Sequence, residues 1–201
     1  MHTGKLPLFS DKGSKMSAAL VLIATGILFR TIFHLGDNIE MITSGALVSG
    51  AYLGLFWAIA VPLTSMAVSD VILGNSLIFL FTWSAYLFIG FAGFLVFYKK
   101  KRKSGLLISS LVSAGTASVF FYLWTNFGVW YLDDQRMYAK TIGGLLDAYL
   151  LGLPFLKMNL IGNLVFVPLF FSIFSFLQMP VKAKKSISAK YLSVLKIFKE
   201  S

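Results

Sequence analysis

The sequence predicts an all-α membrane protein of six transmembrane helices, with a short re-entrant or interfacial helix before the last span. Three observations predict it. The 201 residues are 57% hydrophobic and 13% charged, about half the ~25% charged share of a soluble domain. Long apolar runs alternate with short polar connections throughout. The cations gather at three places between or beside those runs: the lead before Met16, the run Lys99–Lys103, and the tail after Pro180. Lysine clusters beside spanning segments orient a chain and meet anionic lipid, so the net charge of +10 points to a bilayer surface and not to nucleic acid. The absence of Cys excludes disulfides and thiol chemistry, and two His are too few for a zinc site, so no cofactor is expected.

Three regions follow: a polar lead over 1–15, a membrane domain over 16–179 and a basic tail over 180–201. The run Met16–Leu35 is long enough to span and is followed by no small-residue cleavage site, so it reads as an uncleaved first helix ending at Gly36-Asp37-Asn38. Glu40–Phe56 and Ala58–Gly74 read as a helical hairpin with almost no loop, each run near the lower length limit for a span. Ala46, Gly50 and Gly54 recur at intervals of four and make a flat groove for another backbone, within the molecule or from a partner. Leu77–Tyr98 is the fourth helix and Gly105–Asn126 the fifth, the latter carrying Ser110, Ala114 and Ser118 as a second small-residue stripe. Thr141–Leu153 is apolar but short and stops at Pro154, the pattern of a re-entrant or interfacial segment. Met158–Met179 is the sixth span. In the tail, Ile187, Tyr191, Val194, Leu195 and Phe198 share one helical face among lysines, as in an amphipathic helix on a membrane surface.

Six spans put the three cationic clusters on one side, which the positive-inside rule makes the cytoplasm of a cell membrane, with both termini inside. A seventh span at Thr141–Leu153 would force the lysine-rich tail outside.

Polar residues inside such a chain need partners or a water-filled cavity. Arg30, His34 and Asp37 share one helix face, and Asp70 stands at a depth matching Arg30, which suggests an Arg30–Asp70 ion pair. The alternatives are that Arg30 snorkels and Asp70 meets water, or that both touch a substrate. Between Trp124 and Asn163 the aromatics Trp124, Trp130, Tyr131 and Tyr138 fit an interfacial belt, but the belt does not explain Asn126, Asp147, Asn159 and Asn163. Amides and an acid converging among aromatics are what a small-molecule site requires, and interhelical hydrogen bonding explains the amides as well. This stretch is expected to roof a cavity on the outer side.

Three stretches carry a resemblance: Gly50–Gly74 (GAYLGLFWAIAVPLTSMAVSDVILG), Thr125–Trp130 (TNFGVW) and Tyr138–Asn163 (YAKTIGGLLDAYLLGLPFLKMNLIGN). They resemble an uncharacterised family of bacterial-type integral membrane proteins, a domain of unknown function that looks related to the substrate-binding S components of energy-coupling factor (ECF) transporters. The resemblance implies an S-component-like fold of six helices with an outward pocket closed by outer loops. It points by position at Asn38, Asp70, Asn126, Trp130, Tyr138, Lys140, Thr141 and Asn163. Met41 stands where a Pro is expected, and Asn163 stands where an Asp looks usual, so Asn163 supplies no charge for a cation. S components dock their partner through Ala-x-x-x-Ala on helix one. Ala18, Ala19, Ala24 and Gly26 here lack that spacing, which argues against coupling to an ECF ATPase module.

The expected function is therefore small-solute binding or transport. A membrane scaffold or assembly protein is the alternative, and an intramembrane enzyme using Asp70, Asp147 and His34 ranks last, because no nucleophile–base spacing is visible.

Overall fold

The computed structural model describes residues 9, 11–33, 36, 38–74, 76–98, 105–134 and 136–179. His34, Asp37, Lys99–Lys103 and the tail from Pro180 lie outside the described residues, so the expectations placed on them are not addressed further.

All regular structure among the described residues is helical: α1 (Lys12–Thr31), α2 (Ile42–Val48, continued by a π-helical turn Ser49–Leu53), α3 (Leu55–Leu73), α4 (Phe79–Phe97), α5 (Leu106–Leu132) and α6 (Ile142–Leu177). Five of these are long and apolar enough to cross a membrane: all but α2. Helix α1 begins inside the expected polar lead, because Asp11 caps it by accepting from the Ser14 amide at 2.8 Å. The Phe9 ring stacks on Phe174 near the end of α6, at 5.2 Å between centroids, which brings the two ends of the described chain together.

The helical part of the second expected span is too short to cross a hydrocarbon core by itself. Seven residues plus a five-residue π turn cover only about 18 Å, against a hydrocarbon core of ~30 Å. Nearly every residue from Met41 to Leu53 is buried, so α2 is a short central helix with neighbours on all sides. Its composition allows this. Gly50 lies against the backbone of Gly90 and Phe94, and Gly93 lies against Leu47, so a Cβ at any of these glycines would collide with main-chain atoms of the facing helix. The small-residue groove is thus filled from within the molecule, by α4. The chain reverses at Gly54, whose φ of 105° is open to glycine and closed to most side chains.

The stretch from Trp124 to Asn163 also departs from expectation. Helix α5 continues past Asn126 to Leu132, so the TNFGVW stretch is helical. The expected re-entrant segment and the sixth span are one helix of 36 residues, about 54 Å long, running through both Pro154 and Pro168. A proline removes one backbone donor, but packing against a neighbour lets a helix continue through that loss. Here Tyr122 donates to the Tyr149 carbonyl at 2.6 Å and Tyr149 donates to the Leu123 carbonyl at 3.3 Å, lacing α6 to α5 just before Pro154. The stretch is therefore a pair of antiparallel helix ends joined by the short connection from Asp133 to Thr141.

Candidate functional site

Two polar assemblies occupy the interior. The first joins α1, α3 and α4. Arg30 donates to Asp70 through Nη1 and to Ser69 Oγ at 2.5 Å, and its Nε lies 3.4 Å from Glu40 Oε1. Asp70 is 7% exposed and accepts a second bond from Trp83 Nε1 at 2.7 Å. Tyr86, three residues further along α4 and on the same face, donates to Glu40 Oε2 at 3.1 Å. The expected Arg30–Asp70 pair is present, and Glu40, the first residue of the second apolar run, joins it as a third charge. Among the described residues, one guanidinium faces two carboxylates, so the cluster carries a formal charge of −1. A polar cavity of about 100 Å³ adjoins it, lined in part by Arg30, Glu40 and Asn38.

The second assembly lies between the C-terminal half of α5 and the N-terminal half of α6. A cavity of about 230 Å³ is lined by Asn38, Thr125, Asn126, Tyr138 and Asn159, with Phe121, Tyr122 and Phe155 among its apolar walls. Its size is below the ~300 Å³ floor for drug-sized ligands. Asn126 can enter because residue 152 is glycine: an added Cβ there would collide with the Asn126 amide. The Asn126 Nδ2 donates to the Tyr122 carbonyl at 2.8 Å, and Thr125 Oγ1 donates to Phe121 at 2.8 Å, which leaves acceptor oxygens on both side chains. Asn159 Nδ2 donates to the Asn38 carbonyl at 3.3 Å, and its Oδ1 accepts from Asn163 at 2.9 Å. Asn163, 1% exposed, also donates to Ser118 Oγ at 2.8 Å, while its own Oδ1 has no partner among the described residues. Asn38 adopts φ 59°, a left-handed conformation that asparagine tolerates. It is shared by both cavities and forms the partition between them.

Of the residues singled out from the sequence, Asn38, Asn126, Tyr138 and Asn159 line this cavity, and Asn163 stands behind Asn159. Trp130 and Lys140 do not line it. They clasp the α5–α6 connection: Trp130 Nε1 donates to the Ala139 carbonyl at 3.0 Å, and the Lys140 ammonium donates to the Trp130 and Tyr131 carbonyls at the end of α5. Thr141 caps α6, accepting from Gly144 at 3.2 Å. Asp70 belongs to the ion cluster, and Asp147 is exposed on α6 outside the cavity lining. Asp133 accepts from the Tyr138 and Met137 amides at 2.9 and 3.1 Å, and these bonds hold its carboxyl below the usual carboxylate range. Phe121, Thr125, Gly152 and Phe155 escaped sequence reasoning. The signal for Gly152 was its place one turn from the aromatic Tyr149 on the face opposing Asn126, visible only once the helices are paired.

A larger cavity of about 720 Å³ lies between α4 and α5, lined by residues such as Phe88, Val96, Ile108 and Val112. Those four side chains are exposed, and the lining holds no charge and no amide. It is a groove on the apolar surface and lacks the convergent polar groups of a solute site.

No curated protein and no solved structure matches the chain. A family model does, over residues 10–186, which takes in every helix from α1 to α6 and both polar assemblies. The chain belongs to the family of unknown function DUF6580.

Proposed function

We propose that this protein binds a small solute in the cavity between α5 and α6, as a binding or transport protein of the cell membrane. The observation that carries this reading is the convergence of Asn38, Asn126, Tyr138 and Asn159, drawn from two helices and two connections, on one aromatic-walled space. Interhelical bonding alone would use the amides up, yet Asn126 retains an acceptor oxygen and Asn163 an unpartnered one. The role resembles that of an ECF S component acting without its ATPase module. The lysine-rich lead, the Lys99–Lys103 run and the tail favour a cytoplasmic location for both termini and contact with anionic lipid there.

The test is a thermal-shift screen of neutral, cationic and anionic small solutes on protein purified in mild detergent, with native mass spectrometry for a retained molecule. A solute that raises Tm in the wild type and not in Asn126→Ala supports the reading. A shift of equal size in both proteins removes the cavity as the site. The scaffold reading is favoured by the apolar α4–α5 groove, and a retained stoichiometric protein with no solute would support it.

A further inference from the structure

We infer that the cavity between α5 and α6 takes a small organic cation, a protonated amine with a compact apolar body. This names the solute class and rests on the reading of that cavity as a solute site. Four observations point the same way. No charged side chain lines the cavity among the described residues. Its walls present aromatic rings from Phe121, Tyr122 and Phe155, whose faces attract cations. Its amides and hydroxyl spend protons on carbonyls of the protein: Asn126 on Tyr122, Asn159 on Asn38, and Thr125 on Phe121. The Asn126 and Thr125 oxygens accept no bond among the described residues, so both can accept from the N–H groups of an ammonium. Lastly, the adjoining cavity across Asn38 holds the Arg30–Glu40–Asp70 cluster with its formal charge of −1.

The cations of the surrounding connection and α6, Arg136, Lys140 and Lys157, are matched in number by Asp133, Asp134 and Asp147. Lys140 is committed to carbonyls at the end of α5, and Arg136 and Lys157 are exposed and outside the lining. An anionic guest would meet an unfavourable field, and a neutral guest would gain nothing from the cluster. The negative charge is supplied by Glu40 and Asp70 on the neighbouring elements, so an uncharged Asn163 is compatible with it. In a low-dielectric interior, a charge one cavity away is felt more strongly than it would be in water.

The experiment measures binding of three matched probes to the full chain in mild detergent at neutral pH: benzylammonium, benzyl alcohol and benzoate. Isoamylammonium and isoamyl alcohol serve as an aliphatic pair. The expected result is tenfold or tighter binding of each ammonium over its alcohol, and none of benzoate. Glu40→Gln keeps the bond from Tyr86 but removes the excess charge. It should shrink the ammonium preference by on the order of tenfold and leave alcohol affinity unchanged. Gly152→Leu fills the cavity and should abolish binding of every probe, and Asn126→Leu serves the same purpose if that variant fails to fold.

Alcohols binding as tightly as ammoniums, or a preference unchanged in Glu40→Gln, would overturn the cation inference. The cavity would stand in that case, because the filling variants would still abolish binding. Failure of all probes to bind, or binding that survives both filling variants, would overturn the cavity reading together with the inference.

Discussion

The ion cluster on α1, α3 and α4 and the amide cavity between α5 and α6 are built from similar materials and end in opposite states. Each places polar side chains inside an apolar bundle, where an unpaired group costs several kcal/mol. In the cluster, both Asp70 oxygens and both Glu40 oxygens have partners, and Ser69 donates inward to the Ser65 carbonyl at 2.7 Å. At the cavity, Asn126 keeps an acceptor oxygen that the protein does not use, and Asn163 keeps one behind it. The difference teaches how to sort intramembrane polar residues: those with full partner sets hold helices together, and those with capacity left over face something else. Small residues divide in the same way. Gly50, Gly90 and Gly93 let backbones touch, while Gly152 makes room for an amide.

The largest effect should come from breaking the cluster. Asp70→Ala leaves Arg30 buried without its closest carboxylate, and losing one partner of a buried pair costs about 3–5 kcal/mol. The expected outcome is a large drop in Tm in detergent; a Tm within a degree of wild type would show that the cluster does not hold the bundle. Next, Gly90→Ala drives a methyl group into the Ala58 carbonyl and should cost on the order of 1–3 kcal/mol, read by the same melt.

Asn126→Ala is expected to behave oppositely. It should lower solute affinity tenfold or more while shifting Tm by only a few degrees, since it removes a single local bond. A collapse of Tm instead would merge the two regions into one structural class. A smaller effect is expected from pH. The Asp133 carboxyl is held low by the Tyr138 and Met137 amides, so its contribution is complete above the ordinary carboxylate range and is lost as pH falls through its depressed value. Because Tyr138 is a cavity wall, solute affinity should weaken only in strong acid and stay flat from pH 5 to about 8 for a solute of constant charge; Asp133→Asn should weaken it already at neutral pH. The smallest effect is Asp147→Asn, expected to leave both Tm and affinity unchanged because the side chain is exposed and lines no cavity. A clear loss of binding there would redraw the site.

Much of this was legible in the chain because membrane proteins write their architecture in one dimension. The apolarity of α1, α3, α4 and α5, the end of α3 at Gly74, and the pairing of Arg30 with Asp70 follow from hydropathy, glycine and the cost of intramembrane charge. The amides that line the cavity were also visible, since Asn126 and Asn159 interrupt apolar runs that give them no local reason to be there.

What the sequence could not decide by itself were the matters settled between helices. Pro154 reads as a stop in isolation, and only the lacing of Tyr122 and Tyr149 carries α6 through it. Glu40 reads as the mere start of an apolar run until α1 and α4 bring Arg30 and Tyr86 to it. The segment Ile42–Leu53 reads as a span until glycines on α4 bury it as a short central helix. Asp147 and Asn126 look equally suited to a site, and the rotation of each helix about its own axis decides between them. Composition and periodicity determine which segments enter the membrane, because transfer from water is a property of each segment. Which side chains meet depends on the packing of one helix against another, and that is a property of pairs.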